Sequence, residues 1–414
     1  MKQNMTVRGD RLWDSLMDMA KIGATEKGGS CRLALTDEDK EGRDLFIKWC
    51  EEAGCSIKID KMGNIFARRE GKNPDLPAVM TGSHLDTQPT GGKFDGVYGV
   101  LAGLEVLRAL NDYEITTEHP VEVAVWTNEE GSRFAPSMVS SAVFAGAYEL
   151  EYGLSRADVN GVTMGEELKR IGYDGPEEVG GRDLKAFFEA HIEQGPKLEF
   201  QEKTIGVVTD VNGLRWYEIT VRGQEAHAGP TPMNRRKDAL VAASKMVQEV
   251  NRIGFENDPD ACATVGMLDC RPNSRNTIPG EVFFTVDFRH PSDEVLTKMD
   301  GQLREFCEQV AREGGFELEF EQIMYTAPIK FDEACVDAVR KGAIEAGYSH
   351  MDIVSGAGHD ACYLSRVAPT GMVFVPCENG ISHNEEEAAT PEDLAAGCHV
   401  LLHAMLDQAG VVTN

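Results

Sequence analysis

The chain has 414 residues and a formal charge of −28, with 41 Lys+Arg against 69 Asp+Glu. That length exceeds one hydrophobic core and suits two domains, and 42% hydrophobic with 27% charged residues excludes a wholly disordered chain. The acidic balance argues against a nucleic-acid partner, which needs a basic surface, and no run of 18 apolar residues is present to span a membrane.

The opening Met1–Met5 stretch lacks the apolar core of a signal peptide, so a cytoplasmic location is expected. Ten cysteines are scattered with no Cys-x-x-Cys pair. Reduced thiols are expected, rather than a zinc ribbon or a disulfide framework.

In chain order, Ala78 to Ser83 reads as a strand ending at His84. Gly99 to Leu110 follows as a helix with Val100, Leu104 and Leu107 on one stripe. Val121 to Thr127 is a second strand, ending at Asn128-Glu129-Glu130. Strand, helix, strand with polar residues at the strand ends is the layout of an open α/β sheet, whose sites lie beyond the carboxyl ends of the strands. From Leu214 the pattern changes. Strands are expected at 215–222, 281–289 and 316–323, with helices at 237–253 and 293–313. The segment 214–328 fits a β-α-β-β-α-β unit, four strands with two helices on one face. It reads as an insertion between 1–213 and 329–414, after which a strand at 371–376 and a helix capped by Thr390-Pro391 resume the α/β pattern.

The chemistry gathers at the strand ends. In His84-Leu85-Asp86 both polar side chains can project to one side, and a carboxylate there can take the second ring N–H of a metal-bound imidazole. Asp95 sits in Gly91-Gly92-Lys93-Phe94-Asp95-Gly96, either as part of a glycine turn or as a carboxylate ligand. Glu129-Glu130 is either a solvated strand end or one ligand beside one unbound base. His191 and His383 each follow an apolar strand. Imidazoles and carboxylates without a thiolate suit Zn²⁺ or another divalent transition metal in a hydrolytic centre.

These segments resemble the metal-dependent amidohydrolases that cleave N-carbamoyl groups: N-carbamoyl-L-amino acid hydrolases, β-ureidopropionase and allantoate amidohydrolase, relatives of the aminoacylase and carboxypeptidase group of dimetal peptidases. The resemblance rests on Gly82-Ser83-His84-Leu85-Asp86-Thr87, Gly91 to Gly96, Asn128 to Phe134 and His191-Ile192-Glu193-Gln194-Gly195-Pro196, followed by Ala226-His227-Ala228-Gly229, Asn276 to Gly280 and Ser382-His383-Asn384-Glu385. It implies an α/β dimetal aminopeptidase-like catalytic domain with an inserted α+β, ferredoxin-like lid and dimerisation domain.

It also implies two divalent ions per subunit, zinc first, with manganese, cobalt and nickel as alternatives. Asp95 would bridge them, with His84 and His191 completing one site and Glu130 and His383 the other. Glu129 would be the general base and acid, and Asp86 the orienter of His84. His191 points to the ureido-cleaving branch, because peptidase relatives usually carry a carboxylate there. The resemblance assigns Arg289 to the substrate carboxylate, and Asn276 and Gln194 to substrate binding. His227 would polarise the ureido oxygen, reaching across a homodimer, and His359 would line the pocket. The expected reaction is hydrolysis of an N-carbamoyl-β-alanine or N-carbamoyl-L-amino acid to the amino acid, CO₂ and ammonia. Allantoate or ureidoglycolate ranks second, because Thr90 stands where allantoate enzymes more often have Asn, and a dipeptidase or aminoacylase third.

Overall fold

The structure is a computed structural model that describes residues 5–412. Met1–Asn4, part of the stretch read above for a leader, lie outside the described residues. The chain divides into two compact units, one running up to Thr209 and again from Phe331, the other Asp210–Lys330. The second unit is slightly longer at each end than the expected 214–328, and its two ends, Asp210-Val211 and Ile329-Lys330, pair antiparallel.

In the first unit the sheet runs in the order Ser56–Ile59, Ile65–Arg69, Val121–Trp126, Ala78–His84, Leu184–Ile192, Thr370–Val375 and Ile205–Val211. Four neighbouring central strands, Val121–Trp126, Ala78–His84, Leu184–Ile192 and Thr370–Val375, are mutually parallel. Parallel strands are covered on both faces, which requires continuous apolar runs rather than alternation. Three of the four are buried at every residue, and the fourth at all but Lys185. Because all four point one way, His84, Trp126, Ile192 and Val375 finish along one edge. The loops that follow carry the chemistry-bearing motifs.

The helix expected at 99–110 spans Val97–Asp112. Its Tyr98 hydroxyl donates to the Leu394 carbonyl of the final helix, Pro391–Ala409, at 2.9 Å. Thr390 caps that helix as expected, its hydroxyl accepting the Asp393 N–H at 3.1 Å. Among the described residues no helix is long and apolar enough to cross a membrane.

The second unit is an antiparallel sheet flanked by the helices Ala239–Glu256 and Asp293–Gly314. Strand order is Leu268–Arg271, Glu281–His290, Gly213–Arg222, Glu317–Thr326, with Cys262–Thr264 also pairing with Glu281–His290. The sheet therefore has five strands instead of the expected four. One edge lane is broken in two around Val265-Gly266-Met267, leaving strands of only three and four residues on either side. Tyr217, Ile219, Val221, Val282, Phe284, Val286 and Phe288 face both helices and form the unit's core. The alternate residues Thr285, Asp287 and Arg289 lie on the opposite face, as period-two geometry requires. A two-stranded ribbon, unforeseen in the sequence, pairs Ala226–His227 with Thr277–Ile278.

Candidate metal and active site

Asp95 is the centre of the first unit's strand-end cluster. Its Oδ1 lies 3.2 Å from His191 Nε2 and 3.7 Å from His84 Nε2. Its Oδ2 lies 3.2 Å from His383 Nε2, which is itself 3.3 Å from Glu130 Oε2. Two donor sets, His84–Asp95–His191 and Asp95–Glu130–His383, thus share one carboxylate, each with its donor atoms within 4.8 Å of one another.

The two buried histidines are held in one tautomer. His84 Nδ1 donates to the Asp86 backbone carbonyl at 2.8 Å, and His191 Nδ1 to that of Ile192 at 2.8 Å. Each Nε2 is left facing Asp95, which is the arrangement a metal-ligating imidazole needs. This corrects the role expected of Asp86. Its backbone orients His84, while its carboxylate, 4.0 Å from Nδ1, does something else. Asp86 Oδ1 and Oδ2 accept the backbone N–H groups of Glu129 and Glu130, each at 3.2 Å, and so fix the glutamate pair.

Glu129 Oε2 lies 3.4 Å from His84 Nε2, outside the donor set that holds Glu130. Burial, then the Asp360, Glu130, Asp95 and Asp86 carboxylates, push Glu129 well above the ordinary carboxylate range. A buried carboxylate perturbed in this way, beside a metal-type donor set and outside it, is the kind of group that general acid–base chemistry uses. Burial likewise raises Glu130 to about 8 and Asp86 to about 7, and lowers His84 to about 4. So many buried carboxylates crowded together favour a nearby cation, and the imidazole–carboxylate donors suit a divalent transition metal. The residues fit such ions.

Two glycines make the cluster sterically feasible. Gly96 has φ +67°, and a Cβ there would stand 2.2 Å from the His84 ring. A Cβ on Gly92 would stand 2.1 Å from the Glu387 carboxylate. Glu387 was not singled out in the sequence, and it joins two ligand loops. Its Oε1 accepts the N–H groups of Phe94 and Asp95 at 2.9 and 3.1 Å, while its Oε2 accepts the Ser382 hydroxyl at 3.0 Å. The side-chain-free Gly92 was its only sequence signal. Glu387→Ala leaves two buried N–H groups unpaired, so a loss of roughly 2–4 kcal/mol is expected in denaturant unfolding. Glu387→Gln, which keeps an acceptor oxygen, should recover much of it; equal midpoints for wild type and Ala would sink this role.

The remaining candidates fall in different surroundings. Gln194 Nε2 donates to Asp95 Oδ2 at 3.0 Å and to Ser382 Oγ at 3.2 Å, so in this structure it steadies the cluster. His359 is buried with its ring against His191, centroids 4.6 Å apart, and its Nε2 lies 3.0 Å from Ser355 Oγ. With Glu189 it forms a third donor set around His191. Glu189 is already committed, accepting the Ser83 hydroxyl at 2.7 Å and the Ala361 N–H at 2.9 Å. Gln88, also unforeseen, donates to Glu130 Oε2 at 2.6 Å.

In the second unit His227 and Asn276 are brought together on the two-stranded ribbon, where the Asn276 carbonyl accepts the Ala228 N–H at 2.9 Å. Arg289 is half-exposed, with Nη2 3.0 Å from Asp287 Oδ2.

Residues 80–407 match the profile of Peptidase family M20/M25/M40. The chain belongs to this family. An N-carbamoyl-L-amino-acid amidohydrolase of Rhizobium meliloti is 52% identical to this M20-family chain over 410 residues, covering 99% of each. An allantoate amidohydrolase of Bacillus subtilis is 33% identical over 97% of each. A solved amidase of the hydantoinase/carbamoylase family from Burkholderia multivorans superimposes with a TM-score of 0.96 at 66% identity, over 98% of both chains. The family's α/β architecture is therefore the one described above.

Proposed function

We propose that this chain hydrolyses the ureido C–N bond of N-carbamoyl-L-amino acids, releasing the amino acid, CO₂ and ammonia. The observation that carries the reading is the Asp95 carboxylate shared by two donor sets, with Glu129 beside them and outside both. The 52% identity to a relative named for this activity supports it, against 33% for the allantoate enzyme.

His84, His191 and Asp95 would hold one divalent ion, and Asp95, Glu130 and His383 the other. Zinc suits the donors, with manganese, cobalt and nickel as alternatives. Bound there, the ions supply Lewis acidity at the scissile group and lower the pKa of water. Glu129 takes the proton from the attacking water at Oε2 and delivers it to the departing nitrogen. Asp86, through the two backbone N–H groups, keeps Glu129 and Glu130 apart in those two roles. Asp210–Lys330 would be the lid and homodimerisation unit, with Arg289 gripping the substrate carboxylate and Asn276 assisting. His227 would polarise the ureido oxygen from the partner subunit.

Ammonia release from N-carbamoyl-L- and D-amino acids, N-carbamoyl-β-alanine, allantoate, ureidoglycolate and N-acetyl amino acids tests the reading. Preference for an N-carbamoyl-L-amino acid is expected. Preference for allantoate moves the chain to that branch, and turnover of the N-acetyl compound alone overturns the proposal.

Arg289 offers a separate check. Its guanidinium is half-exposed and already paired with Asp287, so the low end of the cost of truncating one partner of a charge pair applies, about 2 kcal/mol. Arg289→Ala should lower kcat/KM about 30-fold. Arg289→Lys should recover only part of this, since an ammonium lacks the two-pronged fork. An amide analogue without the carboxylate should be insensitive to the change, and equal losses on both substrates would remove Arg289 from the substrate.

A further inference from the structure

His399 and His403 belong to none of the motifs used above. They lie four residues apart on the final helix, Pro391–Ala409, which puts both rings on one face. Their Nε2 atoms are 3.0 Å apart. Both face the backbone carbonyl oxygen of Met5, at 2.9 Å from His399 and 3.3 Å from His403.

The three atoms form a triangle that hydrogen bonds satisfy poorly. The carbonyl only accepts. If both Nε2 atoms carry hydrogens for it, the two N–H groups crowd each other across a gap of 3.0 Å. If one Nε2 is bare, a single hydrogen must serve two acceptors. A divalent ion resolves the conflict. With metal–ligand bonds of about 2.1 Å, neighbouring donors stand about 3.0 Å apart around an octahedral ion and about 3.4 Å apart around a tetrahedral one, and the triangle's edges of 2.9, 3.0 and 3.3 Å lie close to that range.

The surroundings favour the tautomer that metal binding needs. His399 Nδ1 lies 3.1 Å from the Tyr348 hydroxyl oxygen. With Nδ1–H donating to that oxygen, Nε2 keeps its lone pair for an ion, as outer partners of metal-bound histidines do. His403 is buried, and His399 is partly open to solvent, so an ion can enter and water can complete its shell. Two neutral imidazoles and a carbonyl select Zn²⁺, Ni²⁺ or Cu²⁺ over Mg²⁺ or Ca²⁺. The charge of −28 raises the local concentration of any cation.

We propose that His399, His403 and the Met5 carbonyl bind a divalent first-row ion, clamping residue 5 to the final helix. None of these donors belongs to the Asp95 cluster, so the site does not depend on the proposed reaction.

The test counts ions on the holoenzyme. Protein saturated with its ions is dialysed against buffered Zn²⁺, and bound zinc is measured by atomic emission alongside ammonia release. Wild type should bind one Zn²⁺ per subunit more than His403→Gln, with equal activity. Zn²⁺ should also raise the thermal midpoint of wild type by more than that of the variant. Tyr348→Phe should keep the additional ion but weaken its binding roughly 10–100-fold. Should His403→Gln fail to fold, the partly exposed His399→Gln gives the same reading. Equal zinc counts in wild type and a folded His variant overturn the site. A count that falls together with activity means that the ion lost belongs to the Asp95 cluster, and this also overturns it.

Discussion

Glu129→Gln is expected to lower kcat by roughly 10²–10⁴-fold, the usual contribution of a positioned general acid–base. The substitution keeps the side chain's shape and an acceptor oxygen near His84 Nε2, while removing the ability to carry a proton. It does not disturb the Asp86 carboxylate, which binds the backbone N–H of Glu129. Bound metal should therefore stay near the wild-type level. Glu130→Gln should behave oppositely, losing metal because Glu130 stands with His383 and Asp95. Metal analysis beside steady-state kinetics separates the two. If Glu129→Gln empties the site while Glu130→Gln leaves it filled, the roles are reversed.

Exhaustive chelation should abolish turnover, with Zn²⁺, Mn²⁺, Co²⁺ or Ni²⁺ restoring it to different degrees. The sharing of Asp95 sharpens this expectation. Asp95→Asn weakens both donor sets at once, whereas His383→Ala touches only one. The first should cost both ions and the second only one, measured as metal per subunit. Stability should follow, because an ion at a thousand times its Kd adds about 4 kcal/mol to the folded state. Chelated protein should melt earlier than loaded protein. Full activity in a metal-free preparation would end the dimetal reading.

The parallel central strands were legible because doubly buried strands must be apolar throughout, and polar motifs at their ends stand out against that background. His84, Glu129, Glu130, His191 and His383 were found this way and Asp95 by the glycines around it, and the structure gathers all six. What escaped depends on backbone geometry. Asn128, Gln194 and His383 all have positive φ, at 59°, 58° and 53°. Such conformations are costly for residues with side chains and concentrate at functional loops, yet no residue pattern announces them. The turns at Gln194 and Asn128 bring Gln194 onto Asp95 and present the Glu129 and Glu130 N–H groups to Asp86. The duty of Asp86 was misassigned because spacing along a strand shows which side a carboxylate takes, and not which N–H reaches it first. Glu387 escaped because the partners of its Oε1, Phe94 and Asp95, are distant in the chain and use only their backbones. In the second unit the alternation on Glu281–His290 was clear, while the edge lane is split into pieces of three and four residues, too short to read.

The order of the parallel strands also sets a timetable for synthesis. The Asp95 cluster draws its side chains from residue 84 to residue 383, and Glu387 lies further on still. At ribosomal rates of about 5–20 residues per second, roughly 15–60 s separate the emergence of its first and last members. During that interval Asp86, Asp95, Glu129 and Glu130 are already made, but His383 is not. A nascent chain therefore has no complete donor set around Glu130, and whatever ion it captures early meets only part of its final company. The Asp210–Lys330 segment is contiguous, with its own core, and can fold while the other unit still waits for its last parallel strand.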